Sequence, residues 1–216
     1  RMSKKLNTKT KQLSSVGSSS FEIGNYIPTR YQTFFFLLVI IALFLIYYFP
    51  LYFGGLTFQS GDIITSHSAK TYVDKSREGF TLWFPYIFGG MPAYAVSLDY
   101  KWFNLIYVLM HTVRSIFSVP FSSEYTMWSF YLIVLAFTSY FLFQYLTKNK
   151  LLSILGAITT SFSTGIILSL FIGHVTKLIT LCFYPLIFLM LLKFQKKITL
   201  KDFAILIIAL QLSLLG

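Results

Sequence analysis

The chain has 216 residues, 56% of them hydrophobic and 19% aromatic, with only 12% charged. A soluble domain carries about 25% charged residues, so this composition excludes a soluble globular domain and defines an integral membrane protein. The net charge of +11 does not make it a nucleic-acid binder. Such proteins gather Lys and Arg on one face or stripe, whereas here they sit at the ends of hydrophobic runs.

Residues 1–31 are basic and Ser/Thr-rich and read as a solvated cytoplasmic tail with some attraction to anionic lipid. No signal peptide is evident in them, because the hydrophobic segment that follows is too long for a signal core. Residues 32–53 form the first transmembrane helix, with the span itself at Thr33–Phe53. Tyr47, Tyr48 and Tyr52 suit an aromatic belt at its exit, and Pro50 is tolerated near that end.

Residues 54–122 form a large loop set in a sequence that otherwise reads as membrane. It holds Asp62, Asp74 and Glu78, three of the seven acids, with Asp99 further along. Connections this long are functional or disordered, and the aromatic run Trp83–Tyr94 argues against disorder. Ser68–Glu78 has the polar character of a short helix ended by Gly79, with Lys70, Asp74 and Glu78 on one face. Within Lys101–Phe121, Leu105, Ile106, Leu109, Met110, Val113 and Ile116 recur at helical spacing. That segment is expected to be an amphipathic helix lying in the membrane interface, a tilted or re-entrant span being the alternative.

Residues 123–216 hold the remaining spans: Tyr125–Leu146, Leu151–Phe171, Leu178–Leu192 and a fifth beginning at Phe203. Gly156 and Gly165 allow close packing of the third. The single Cys182 excludes an intrachain disulfide framework and a multi-cysteine metal site and reads as a buried, inert thiol. Only fourteen residues follow Asp202, fewer than the roughly 20 a span needs, so the chain is expected to be the N-terminal part of something longer. The fold class is therefore all-α, a polytopic transmembrane bundle with a large first loop.

Orientation follows from the cations. With the N-terminus in the cytoplasm, twelve of the eighteen Lys and Arg fall inside and six outside (Lys70, Lys75, Arg77, Lys101, Arg114 and Lys177). The positive-inside rule then puts the large loop outside the cytoplasm.

Two places could carry chemistry. Asp62, after Gly61, is a carboxylate near a membrane surface that could serve as a general base; it is otherwise a solvated loop acid or a helix cap. Gly173-His174-Val175-Thr176-Lys177 is a short turn on the same side, where His174 and Lys177 could clamp a phosphate. Otherwise Lys177 snorkels and His174 caps a helix. His67, His111 and His174 are too scattered to argue for a metal.

Gly61-Asp62 after the first span, Trp83 ahead of Phe88-Gly89-Gly90-Met91-Pro92-Ala93-Tyr94, Gly173-His174-x-x-Lys177 and the Tyr184-Pro185-Leu186 span together resemble the YfhO-like bacterial membrane proteins. That family belongs to the C-type glycosyltransferase superfamily, and the resemblance runs from about Thr33 to Gly216. It implies transfer of a sugar from a polyprenyl-phosphate donor to an envelope acceptor, on the outer face of the bacterial inner membrane. Asp62 matches the acid that deprotonates or orients the acceptor hydroxyl. His174 and Lys177 match groups that stabilise the departing phosphate. Trp83, Met91 and Tyr94 would shape the sugar or acceptor cleft, with Gly89, Gly90 and Pro92 fixing the backbone turn. Some relatives pair two acids around a divalent metal; Asp62 has no adjacent acid, so no metal is assigned. Partners are then membrane lipid and the lipid-linked donor, with other protein subunits possible and no nucleic acid. The competing reading is a non-catalytic protein, either a transporter of a lipid-linked substrate or a scaffold subunit of an envelope complex.

Overall fold

The computed structural model describes residues 26–58, 60, 83–84, 89–92, 105–119 and 124–214. The tail up to Asn25 and the short helix expected over Ser68–Glu78 lie outside the described residues.

The first hydrophobic run folds as two helices where the sequence predicts one. α1 is Thr29–Tyr47 and α2 is Phe49–Tyr52. Pro50 is the cause: it has no N–H to offer, and its ring displaces the carbonyl four residues back, so Tyr48 leaves helical geometry at φ −98°, ψ 22°. The break changes the fate of the tyrosines. Tyr48 and Tyr52 turn inward and are buried, and only Tyr47 stays exposed as an aromatic belt requires. Burial of Tyr52 is tolerated because its hydroxyl hydrogen-bonds Ser129 Oγ.

α3 is Leu105–Ser118. Its fourteen described residues rise about 21 Å, short of the roughly 30 Å hydrocarbon core. Its apolar residues divide between two surfaces. Ile106 and Met110 pack against Tyr131, Leu135 and Cys182 of the bundle, while Leu105, Leu109, Val113 and Ile116 are exposed. An apolar row turned away from the protein suits a helix lying in the interface.

α4 (Glu124–Thr147) is the hub, touching α1, α2, α3, α5 (Lys150–Ser161), α6 (Thr164–Ile172) and α7 (Val175–Phe194). Leu132, Ala136 and Tyr140 face α1 in one core cluster, and Tyr131 and Leu135 face α7 in another. With apolar residues on both sides, α4 has no polar stripe, as expected of a helix surrounded by helices. Its small polar residues hold the neighbours: Thr138 Oγ1 donates to the Cys182 carbonyl at 2.8 Å, next to the carbonyl that Pro185 inside α7 cannot bond.

The expected single third span is also broken. α5 ends at Ser161 and α6 begins at Thr164, with Phe162 and Ser163 between them. Thr159, Thr160 and Ser161 bond their hydroxyls back to the carbonyls of Leu155, Gly156 and Ala157, a habit that bends helices, and Phe162 stacks on Phe44 at 4.5 Å between ring centroids. Of the two glycines expected to permit close packing, Gly156 lies under the Phe143 ring of α4, while a Cβ added at Gly165 would meet nothing within 4 Å among the described residues.

α8 (Leu200–Leu214) packs on α7. Its start is a capped turn: Thr199 Oγ1 accepts from the Asp202 N–H at 3.1 Å and donates to Asp202 Oδ2 at 2.6 Å, while Lys193 pairs with Asp202 Oδ1 at 3.2 Å. The Thr199 hydroxyl, with Lys193 beside it, holds the Asp202 carboxyl below the usual carboxylate range. A folded pKa below the unfolded one gives stability that is present above about pH 4 and is lost as pH falls through the folded pKa. The melting-temperature gap between the wild-type protein and Asp202→Asn is therefore expected to close on acidification in detergent. A gap independent of pH would remove the carboxylate's role.

Four segments are long and apolar enough to cross a membrane: Thr29–Tyr47, Trp128–Thr147, Lys150–Ile172 and Val175–Phe194. The fold is thus an all-α, multi-pass membrane bundle.

Candidate functional site

The bundle has a basic end and an opposite end. At the basic end, Lys150 Nζ donates to the Thr29 carbonyl at 2.8 Å; Lys148, Lys196 and Lys197 lie on the links that follow α4 and α7, Lys193 in the last turn of α7 and Lys201 in the first turn of α8. The opposite end carries the Gly173–Lys177 turn and the start of the large loop.

At that opposite end the turn is built by glycine. Gly173 closes α6 at φ 97°, a left-handed position that glycine adopts without a Cβ penalty. The His174 N–H then bonds back to the Ser169 carbonyl at 2.8 Å and the Gly173 N–H to Leu170 at 3.2 Å, which satisfies carbonyls left over at the helix end. His174 is the N-cap residue of α7 without a side-chain capping bond, so the capping role open to it in the sequence is not the one it takes. Lys177 follows in the first turn. Both side chains are exposed, beside a helix N-terminus whose free N–H groups and dipole favour an anion.

The loop begins against this turn. Ser60 Oγ donates to the Ile172 carbonyl, and Phe58 meets Phe171 edge-on at 5.5 Å. Nothing in the sequence singled out Ser60; a lone serine gives no signal for a partner 112 residues away. Between α1–α2 and α6 lies an apolar crevice of about 700 Å³, lined by Tyr47, Leu51, Phe58, Phe162, Leu168 and Phe171 among others. It reaches from the break in the third span to the Phe58–Phe171 contact.

Within the Trp83–Pro92 run two short strands are described. Trp83–Phe84 pairs antiparallel with Met91–Pro92, Trp83 opposite Pro92 and Phe84 opposite Met91. Gly89 and Gly90 turn the chain at φ 73° and 121°. Gly90 is needed twice, since a Cβ there would stand 2.6 Å from the Trp83 indole. The tryptophan and the glycine pair that stand out in the sequence are thus parts of one object. Asp62 and Tyr94 lie outside the described residues, so of the expected site residues the structure places Trp83, Gly89, Gly90, Met91, Pro92, His174 and Lys177. No group of three metal-ligating side chains occurs among the described residues.

This geometry defines a class, an all-α multi-pass membrane protein in which Phe58 and Ser60, just past the first span, contact the end of α6 beside the Gly173–Lys177 turn. Comparison with known proteins takes it no further: no family model, no curated protein and no solved structure matches the chain.

Proposed function

We propose that the protein transfers a sugar from a polyprenyl-phosphate donor to an envelope acceptor at the outer face of a bacterial inner membrane, as the resemblance to YfhO-like glycosyltransferases implies. One observation carries the reading: the hydrogen bond from Ser60 to the Ile172 carbonyl. Asp62 is two residues beyond Ser60, and two residues extend a chain by at most about 7 Å. The proposal therefore sets two sequence signals more than a hundred residues apart at one end of the bundle. A carboxylate there receives the acceptor's proton, and Lys177 with the α7 N-terminus stabilises the phosphate as it leaves. The apolar crevice beside them has the size and lining of a lipid-chain site.

The orientation belongs to the same proposal. The two short basic links and Thr29 share one end, which the positive-inside rule assigns to the cytoplasm. A cysteine introduced as Ser97→Cys is expected to react with an impermeant thiol reagent in intact cells, and Asn149→Cys is not. Native Cys182 is buried and leaves a low background. The reverse pattern would overturn both the orientation and the site.

The transporter reading has one observation in its favour, the break at Phe162–Ser163 partway along the third span. Discontinuous helices are where transporters bind substrate. The described charges, however, stay at the ends of the bundle, and no Asp, Glu, Lys, Arg or His at mid-depth, the other mark of such sites, is seen among the described residues. Transfer of a labelled lipid-linked sugar in proteoliposomes tests the proposal. Movement of the labelled lipid across the bilayer without transfer would decide for the transporter.

A further inference from the structure

At the basic end two lysines converge on one ring. Lys148 Nζ lies 4.4 Å and Lys196 Nζ 5.1 Å from the Tyr145 centroid, which keeps the two ammonium groups within about 10 Å of each other. Lys148 does so from φ 57°, a backbone conformation that L side chains disfavour. Like charges held this close repel, and an anion between them turns that repulsion into two attractions. Their neighbours are already engaged, Lys193 with Asp202 and Lys150 with the Thr29 carbonyl.

A groove begins one turn away from the ring. Leu142 sits three residues before Tyr145 on α4, and with Tyr184, Phe188 and Leu191 of α7 and Leu210 of α8 it lines an apolar cavity of about 650 Å³. Tyr184, Phe188 and Leu191 are exposed side chains of α7, which is long and apolar enough to cross a membrane, and Leu210 is an exposed side chain of α8 packed beside it. From Tyr184 to Leu191 the groove follows about 10 Å of helix, its end nearest Leu191 towards the lysine pair.

From this juxtaposition we infer that the basic end of the bundle holds one anionic phospholipid, its phosphate between Lys148 and Lys196 and an acyl chain in the groove along α7. Charge complementarity selects the headgroup, and the apolar lining selects a lipid over a free anion. The site is at the opposite end from the one proposed for sugar transfer and does not depend on that reading.

Native mass spectrometry of the protein released from nanodiscs of equal phosphatidylglycerol and phosphatidylcholine tests this. The wild-type protein is expected to retain one phosphatidylglycerol. Lys148→Gly with Lys196→Gln should weaken its retention roughly thirtyfold, from about fivefold per surface lysine; glycine suits the positive φ, so folding is spared. Lys197→Gln with Lys201→Gln removes the same charge and should leave retention close to wild type, because the ammonium groups at the Tyr145 ring are those of Lys148 and Lys196. Leu210→Trp, which fills the groove without altering charge, should also lower retention. Equal losses from the two double variants would overturn the site in favour of diffuse surface charge. Displacement of the lipid by millimolar inorganic phosphate, or full retention by Leu210→Trp, would overturn the role of the groove.

Discussion

Replacing Asp62 by Asn is expected to lower sugar transfer by roughly 10²–10⁴-fold, the range a general base contributes, which is about 3–5 kcal/mol of barrier. The substitution keeps the size and hydrogen-bonding reach of the side chain and removes its basicity, so it tests proton transfer and charge, not packing. Expression and donor binding should stay close to wild type. Lys177→Ala should behave differently, because in the proposed mechanism its ammonium faces the phosphate in both the bound donor and the transition state. An interaction present in both states is lost from binding as well as from turnover, so donor affinity should fall together with rate. If both residues are solvated bystanders, neither change exceeds a few-fold. Near-wild-type turnover by Asp62→Asn in the intact protein, with a labelled lipid-linked sugar in proteoliposomes, would remove the main reason for assigning this chemistry.

The sequence disclosed the helices better than their breaks. Hydrophobic runs report how much chain can enter a membrane, and α4 and α7 sit close to where the runs put them. A proline or a Thr-Thr-Ser run inside such a window hardly lowers its hydropathy, so the interruptions at Tyr48 and at Phe162–Ser163 stay hidden although their causes are in plain view. Local turns are legible where their signal is local. Gly89 and Gly90 mark a positive-φ turn, and Gly173 marks a left-handed helix end. What could not be read is pairing at long range: Ser60 on Ile172, and Lys148 and Lys196 on one tyrosine. Those contacts follow from how α4, α6 and α7 lie against each other, and that is decided by side-chain packing across the whole bundle.

That packing is expected to be most sensitive at Gly156. The α4–α5 hairpin closes through Lys148 and Asn149, with Asn149 Oδ1 accepting from the Leu151 and Leu152 N–H groups at 2.9 and 3.3 Å. The short link sets the two helices close, and Phe143 of α4 settles onto the bare backbone of Gly156. A Cβ there would stand 2.5–2.7 Å from the ring's Cδ2, Cε2 and Cγ. Contact at the root of the ring cannot be relieved by moving a flexible tip, so the helices must part or Phe143 must leave its rotamer. Overpacking of this kind costs about 1–3 kcal/mol, against about 1 kcal/mol gained when alanine replaces glycine inside a helix. Gly156→Ala should therefore lower the melting temperature in detergent, and Gly156→Leu should lower it much further. Gly165→Ala provides the opposite case, since nothing described lies within 4 Å of the new methyl and only the helix-propensity gain remains. A neutral Gly156→Leu protein, or equal shifts at the two glycines, would show that the Phe143 contact does not hold α4 and α5 together.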